Sequence, residues 1–363
     1  MTPRRLLAAV AASAVGVAAA VALPASSAGA DPLGDARARA AALARTVADL
    51  QTRAEVATER YDAVETQLGA AVTARMLAQR DLEAAQTQTQ ADQDLAGARV
   101  RALYESGGAP ALWATVMDGA DPADAMARYH DVSVVLGLDR ATEKADRTRA
   151  DQIAKSTAKL AALAAKITKL QTAAATAAEQ VSSLLADQQR ALAGADKQVR
   201  VLAAQAAAEA AARSAASFAA ALAAAGGSLT GTTKPPNATV ATAIAAARTK
   251  LGDPYLWGGT GPNAYDCSGL TQFAYGVAGI ALPRVAADQW QVGARVGLAN
   301  LLPGDLLFWA TDPGNPATIH HVAMYLGDGL MIAAPHTGDV VKIEAVYMDG
   351  FFGATRPWST GAS

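Results

Sequence analysis

A helical repeat takes up more than half of this 363-residue sequence. Between Asp35 and Leu222 the only prolines are Pro110 and Pro122, and glycines and aromatic residues are scarce. Apolar residues recur there at alternating spacings of four and three, which is the a/d pattern of paired helices. The first run is Leu43, Val47, Leu50, Ala54, Ala57, Tyr61, Val64 and Leu68, and the second is Ile153, Ser156, Leu160, Leu163, Ile167, Leu170, Ala174, Ala177, Val181 and Leu184. The pattern predicts two long helices with an alanine-rich seam.

The two runs are separated by a segment rich in helix breakers. It contains Ser106-Gly107-Gly108-Ala109-Pro110 and Asp118-Gly119-Ala120-Asp121-Pro122, with Trp113 and Met117 between them. Such a segment predicts short helices at the tip of an antiparallel helical hairpin. Each arm of about 70 residues would span about 100 Å at 1.5 Å per residue. A parallel dimeric coiled coil is the competing architecture, and the pattern alone leaves both open.

Composition changes sharply after residue 237. Residues 225–237 contain Gly226-Gly227-Ser228 and Pro235-Pro236, which is typical of a linker. Beyond it, residues 240–251 read as an amphipathic helix, and residues 306–310, 322–326 and 340–345 read as strands. The predicted fold class is therefore α+β for residues 238–363, preceded by an all-α region over residues 31–224.

The first thirty residues have the pattern of an export signal. Arg4 and Arg5 precede an apolar run from Leu6 to Leu23, and Ala28-Gly29-Ala30 ends the segment. This order predicts a secretory signal peptide that is removed before Asp31, rather than a retained membrane anchor. Its removal leaves a formal net charge of −4, instead of −2 for the full chain. A mildly acidic protein lacks the basic balance expected of a nucleic-acid binder.

Cys267 is the only cysteine in the sequence, so no disulfide can form within the chain. It follows Asp266 and precedes Ser268-Gly269-Leu270, where apolar residues at helical spacing begin. A thiol at a helix N-terminus lies at the positive end of the helix dipole, which favours the thiolate. An unpaired cysteine in an exported chain is a candidate reactive thiol. The alternative is a buried, inert thiol, the usual fate of a free cysteine.

Two further motifs follow Cys267. Gly304-Asp305-Leu306 comes first, and His320-His321-Val322-Ala323-Met324-Tyr325-Leu326-Gly327 comes second. Together with Asp266-Cys267-Ser268-Gly269, they resemble the NlpC-type family of papain-like cysteine peptidases over about residues 240 to 358. The resemblance implies a papain-like fold, no cofactor, and cleavage of peptidoglycan stem peptides between D-glutamate and the diamino acid.

The histidines are few: His130, His320, His321 and His336. Neighbouring side chains on a strand point to opposite faces, so only one of His320 and His321 can approach Cys267. Aligned on Val-Ala-Met-Tyr-Leu-Gly, the general base of the family corresponds to His321. We see no histidine or cysteine spacing that predicts a zinc site.

The third catalytic residue of the family lies twelve positions after the histidine, where this sequence has Ala333. Asp328-Gly329 predicts a two-residue hairpin turn. Counting outward from that turn places His336 opposite His321, so His336 could orient the base. A backbone carbonyl or a water molecule is the alternative.

The resemblance also implies substrate-binding residues. Tyr255 corresponds to the tyrosine that faces the substrate beside the nucleophile, and its hydroxyl could assist the oxyanion. Asp266 and Ser268 correspond to residues that hold the free amino group and backbone of the stem peptide, although Asp and Ser are also common helix N-caps. Arg284 corresponds to a residue of the cleft.

These observations predict a secreted cell-wall hydrolase whose helical region regulates or docks the enzyme. The first alternative is a scaffold with an inactive peptidase fold, which the alanine at position 333 favours. The second keeps the Cys-His pair but catalyses an amidase or acyl-transfer reaction. The third is a cell-division or cell-wall interaction protein that acts mainly through its coil. The predicted partners are peptidoglycan and cell-wall proteins, with no nucleic acid and no membrane span after processing.

Overall fold

The structure is a computed structural model that describes residues 32–118, 121–228 and 232–359. The predicted signal peptide (residues 1–30) and the centre of the predicted linker lie outside these residues. The described residues form two compact units: one from those up to Thr66 and those from Ala173 onward, the other from those between residues 67 and 172. Neither unit follows the predicted domain boundaries, because the first helix contributes to both.

Among the described residues, the helical region consists of four helices. They are α1 (Pro32–Glu105), α2 (Gly108–Met117), α3 (Pro122–Ala193) and α4 (Lys197–Ala224). Breaks fall at the predicted Gly and Pro clusters, since Gly107 has a φ of 96° that favours glycine. Within the second unit, the end of α1 and the start of α3 are joined through α2 and bridged by an ion pair between Asp92 and Arg149. This confirms two long helical arms joined at a tip of short structure.

The C-terminal part of the chain is an antiparallel sheet with helices against it. Its elements are α5 (Ala238–Arg248), α6 (Cys267–Val277), α7 (Ala286–Gln289), β1 (Ala294–Val296), β2 (Leu306–Ala310), β3 (Ile319–Gly327), β4 (Leu330–Ala333), β5 (Lys342–Ala345) and β6 (Phe351–Arg356). The strand order in the sheet is β1-β6-β2-β3-β4-β5. The predicted α+β class is confirmed, and the three predicted strands correspond to β2, β3 and β5.

Alternation along β3 divides its side chains between two cores. Val322, Met324 and Leu326 pack with residues of α5 and α6, whereas Ala323 and Tyr325 pack on the opposite face. Strand geometry requires this alternation because the side-chain period is two. The sheet therefore holds α6, and the cysteine at its start, against one face.

Helix α4 covers the other face of the sheet. Phe218 and Leu222 are buried against Leu307, Trp309 and Tyr325 in one core cluster. The hydroxyl of Ser214 in α4 also accepts hydrogen bonds from the backbone N–H groups of Met348 and Asp349, at 3.0 and 3.1 Å. Helix α4 is thus packed as part of the sheet core, although the sequence assigns it to the helical region.

We expect Phe218→Ala to destabilise this unit by about 3–5 kcal/mol, the usual cost of truncating a buried aromatic side chain. Phe218 is 1% exposed, whereas Val201 on the same helix is 47% exposed. Val201→Ala is therefore the matched control and should change stability little. Urea unfolding of the full chain, followed by tryptophan fluorescence, measures both. Equal midpoints for the two variants would show that α4 does not stabilise the sheet.

No helix among the described residues combines the length and the apolar character that crossing a bilayer requires.

Candidate active site

Cys267 is the first residue of α6, as the sequence predicts. Asp266 is the N-cap of this helix, and its side chain accepts a hydrogen bond from the backbone N–H of Gly269 at 2.7 Å. An N-cap carboxylate satisfies a helix donor that has no partner within the helix. The capping interaction fixes where α6 begins, and so places Cys267 in its first turn.

The thiol of Cys267 lies against the start of β3. Its Sγ is 4.0 Å from the carbonyl oxygen of His320, and the backbone N–H of Val322 acts to lower the pKa of the thiol. The same Sγ lies 3.6 Å from Oε1 of Glu59, a residue of α1. The cysteine is 3% exposed. The thiol of Cys267 therefore lies between the backbone of β3 and a carboxylate from the helical region.

This environment does not favour the thiolate that the sequence predicts. Burial raises the pKa of Cys267 well above its usual range, and the carboxylates of Glu59, Asp266 and Glu55 raise it further. A neighbouring negative charge disfavours a second one in a buried site. The dipole of α6 is outweighed, so the prediction of a thiolate is wrong for this arrangement of the chain.

His321, the predicted general base, makes no hydrogen bond to Cys267. It is 2% exposed, and its ring lies 5.5 Å from that of Trp309, centroid to centroid. Neither of its ring nitrogens has a hydrogen-bond partner among the described residues. Burial lowers the pKa of His321 to about 4. The imidazole is therefore neutral, and a Cys267–His321 ion pair is not formed here.

His320, the neighbouring histidine, binds α1 instead. Its Nδ1 lies 3.0 Å from Oε2 of Glu55. The two adjacent histidines thus have different surroundings, Glu55 for His320 and the ring of Trp309 for His321, as their opposite directions on a strand require.

The β3–β4 hairpin corrects the predicted position of His336. The two-residue turn is present, with positive φ at Asp328 and Gly329, and Gly327 pairs with Leu330. Tyr325 then pairs with Met331, because one extra residue of β3 forms a bulge. The bulge shifts the register by one residue, so His336 does not stand opposite His321 and the predicted register is wrong.

His336 lies beyond the end of β4 and has other neighbours. Its Nδ1 is 3.1 Å from the carbonyl oxygen of Thr337, and its Nε2 is 3.3 Å from Nε2 of Gln51 in α1. Ala333, at the family position of the third residue, is buried and offers no side-chain polar atom. His336 makes no hydrogen bond to His321. Its role in orienting the base therefore remains a prediction from the sequence.

We expect His336→Ala to change kcat by no more than about threefold, because the ring contacts Gln51 and Thr337 instead of His321. A residue that orients a catalytic base typically costs far more when removed. Steady-state kinetics on soluble stem peptide would measure the effect, with circular dichroism as the folding control. A fall of two orders of magnitude with intact folding would restore His336 as the third catalytic residue.

Arg284 links three predicted site residues in one cluster. Its Nη1 lies 3.1 Å from Oδ1 of Asp266 and 2.9 Å from Oγ of Ser268, and its Nη2 binds Oδ2 of Asp266. The same Nη2 is 2.9 Å from Oδ2 of Asp62 in α1. Guanidinium forks suit this bidentate binding of carboxylates. The structure thus brings Asp266, Ser268 and Arg284 together beside Cys267.

Tyr255 completes the predicted set. It is 8% exposed and belongs to the same core cluster as Cys267. Burial raises the pKa of Tyr255 well above its usual range, and the nearby Cys267 raises it further. Its hydroxyl therefore stays protonated and can act as a hydrogen-bond donor.

The sequence did not identify the part of α1 that covers this site, which we call the plug segment (residues 51–62). Glu59 is its central residue: Oε1 accepts a hydrogen bond from Ser268 at 2.8 Å, and Oε2 accepts one from the backbone N–H of Ala286 at 2.6 Å. Tyr61 packs edge-on against Trp257 at 4.8 Å between ring centroids. Thr58, Glu59 and Asp62 are all buried. The sequence signal for this segment is the set of acidic residues at positions 55, 59 and 62. Acidic side chains are exposed to solvent unless a partner pairs with them, so such a set is either a solvated face or a contact surface.

Cys267 at the start of α6 and the histidine strand β3 packed against it are the features on which the resemblance in the sequence rests. Residues 252–355 match the model of the NlpC/P60 family, so the C-terminal part of this chain is an NlpC/P60 domain. The resemblance inferred from the sequence motifs is confirmed.

The similar proteins carry peptidase names. A gamma-D-glutamyl-L-lysine dipeptidyl-peptidase of Bacillus cereus is 42% identical over 110 residues, which are 29% of this chain and 33% of that protein. A protein of the same name in Bacillus subtilis is 44% identical over 93 residues, 26% of this chain and 31% of that protein. A probable endopeptidase p60 of Listeria monocytogenes is 40% identical over 108 residues, 30% of this chain and 21% of that protein. The chain spans a third or less of the length of these relatives.

Proposed function

We propose that this chain is a secreted cell-wall hydrolase that cuts peptidoglycan stem peptides by Cys-His catalysis. The bond cleaved is the one between D-glutamate and the diamino acid, and the plug segment keeps the enzyme inactive until α1 moves. The observation that carries the proposal is Cys267 at the start of α6 with its Sγ against residues 320–322 of β3, in an NlpC/P60 domain. Relatives named for D-glutamyl-lysine cleavage support the choice of bond.

The chemistry follows from the residues around Cys267. With α1 away from the site, Cys267 loses the carboxylates of Glu59 and Glu55, which raise the pKa of its thiol. His321 then takes the proton from Cys267, and the sulfur attacks the carbonyl carbon of the scissile amide. The oxyanion is stabilised by the backbone N–H of Cys267 and the hydroxyl of Tyr255. His321 returns its proton to the leaving amine, and water hydrolyses the acyl-enzyme.

The proposed inhibition rests on what the plug segment occupies. Glu59 accepts hydrogen bonds from Ser268 and from the Ala286 N–H, and Asp62 binds Arg284. Ser268 and Arg284 are groups that the resemblance assigns to the stem peptide and to the cleft beside it. A substrate cannot bind them while α1 does, so release of α1 must precede catalysis.

Fragment analysis tests the proposed reaction. Purified peptidoglycan is incubated with the full chain and with a variant whose plug segment is displaced, and the released fragments are identified by mass spectrometry. We expect fragments that end in D-glutamate, together with peptides that begin with the diamino acid. Release of whole stem peptides from the glycan would instead identify an amidase.

A scaffold with an inactive peptidase fold is the second candidate. Ala333 and the unpartnered ring of His321 favour it, because the usual orienting contact is missing. Such a scaffold would release no fragments even with the plug segment displaced, although it could still bind peptidoglycan in a sedimentation assay.

A further inference from the structure

The contact between the plug segment and the active site buries more negative charge than positive charge. Glu59, Asp62 and Asp266 are all buried, and Arg284 is the guanidinium that lies among them. Asp62 and Asp266 both bind Nη2 of Arg284, so their carboxylates lie side by side. Buried carboxylates that outnumber their counter-ions cannot all remain ionised without a large cost.

Groups from every surrounding element face these carboxylates. Glu59 is faced by the thiol of Cys267 and the hydroxyl of Ser268 in α6, by the N–H of Ala286 in α7, and by Asp266 and Arg284. Asp62 is faced by Arg284, Asp266 and Glu59. Arg284 is the permanent cation in this set.

Glu55, which lies one helical turn before Glu59, has a separate set of neighbours. They are His320, His321, Tyr255, Tyr347 and Cys267.

We propose that binding of the plug segment to the active site takes up protons, so that acid closes the enzyme and rising pH opens it. The proposal deepens the proposed function, because it names the signal that regulates the same site. The extra protons reside on Glu59 and on the Asp62–Asp266 pair. They are released when α1 leaves and these side chains become hydrated.

The direction of the effect follows from the shifts of the two plug carboxylates. Burial, and then the charge of Asp266, raises the pKa of Glu59 from 4.5 to about 7. The same two causes raise the pKa of Asp62. The bound state therefore holds protons that the released state has lost, and binding is strongest below pH 4.5. The contribution of Glu59 to binding weakens as pH rises from 4.5 to about 7 and then stays constant. The raised pKa of Asp62 extends this pH range upward.

The proton uptake predicts that an uncharged side chain in place of Glu59 stabilises the contact between the plug segment and the active site. Gln is uncharged at every pH and has nearly the shape of protonated Glu, so Glu59→Gln keeps an acceptor for Ala286 and gains a donor. We expect Glu59→Gln to hold the plug segment on the site more tightly than the native chain near neutral pH. A plug segment held by the negative charge of Glu59 would behave in the opposite way.

Hydrogen exchange of residues 51–66 in the full chain tests the proposal between pH 5 and pH 9, after correction for the intrinsic exchange rate. In the native chain, protection should fall by at least about tenfold for each pH unit between pH 5 and pH 7, since release of the plug segment frees the proton of Glu59 and that of Asp62 with it. In the double variant Glu59→Gln with Asp62→Asn, protection should be independent of pH. Glu65→Gln, an exposed position on the same helix, should follow the native profile.

Either of two results would overturn the proposal: pH-independent protection in the native chain, or loss of protection in Glu59→Gln at all pH values. The assay needs no substrate, so its outcome is separate from the fate of the proposed peptidase activity. If protection of the plug segment depends on pH but the chain releases no peptidoglycan fragments, the proposed peptidase activity is refuted and the proposed proton uptake stands.

Discussion

Cys267→Ala is expected to reduce peptidoglycan cleavage by at least about a thousandfold, since covalent catalysis has no other nucleophile here. Cys267 is the only cysteine in the chain, and its Sγ lies against the backbone of the histidine strand. The measurement is best made with the plug segment displaced, because native activity is expected to be low. Fragment release is followed by mass spectrometry over time.

Two controls make this result specific. The first is thermal unfolding, since Cys267 is buried and its truncation removes some packing. The second is alkylation of the unsubstituted protein with iodoacetamide, which can modify only this thiol and should abolish the same activity. Undiminished fragment release by Cys267→Ala would refute the cysteine-peptidase mechanism, whatever the fold.

Glu59→Arg is expected to raise both the alkylation rate of Cys267 and the cleavage rate by about tenfold to a hundredfold. Glu59 accepts hydrogen bonds from Ser268 and Ala286 at 2.8 and 2.6 Å, and Arg284 lies beside it. An arginine there would place a guanidinium among donors and next to another guanidinium. Unpaired buried charge is costly, typically by several kcal/mol, so the plug segment should leave the site.

Glu65→Arg is the matched control, because it makes the same charge change on an exposed position of the same helix. It should leave both rates at the native value. Equal rates for Glu59→Arg, Glu65→Arg and the native chain would show that the plug segment does not restrain the enzyme. The helical region would then act in docking or spacing, as the sequence also allowed.

Much of the fold could be predicted because its signals are local. The Gly and Pro clusters at residues 106–110 and 118–122 separate the long helices as expected, and Cys267 begins α6. The Asp328-Gly329 turn was also predicted, since both residues adopt positive φ there. The register beyond it was not, because the bulge in β3 depends on how the strand packs instead of on the turn.

The plug segment shows why periodicity was insufficient. The heptad pattern places Ala54, Ala57 and Tyr61 at the seam between helices, which fits the burial of Ala54 and Ala57. Yet Thr58, Glu59 and Asp62 are also buried, because this part of α1 packs on the NlpC/P60 domain. Contacts between residues more than 200 positions apart leave no trace in a local repeat.

By itself, the sequence determined the family of the C-terminal domain, the position of Cys267 at a helix start, and the two long helical arms, because motif spacing and helical periodicity encode them directly. Only the tertiary structure determined the hydrogen-bond partners and the protonation of the side chains in the site. It placed Glu59 on Ser268 and Ala286, left the ring of His321 without a hydrogen-bond partner among the described residues, and moved His336 out of register. Burial and neighbouring charge set the pKa of a thiol or a carboxyl group, and both are properties of the packed chain.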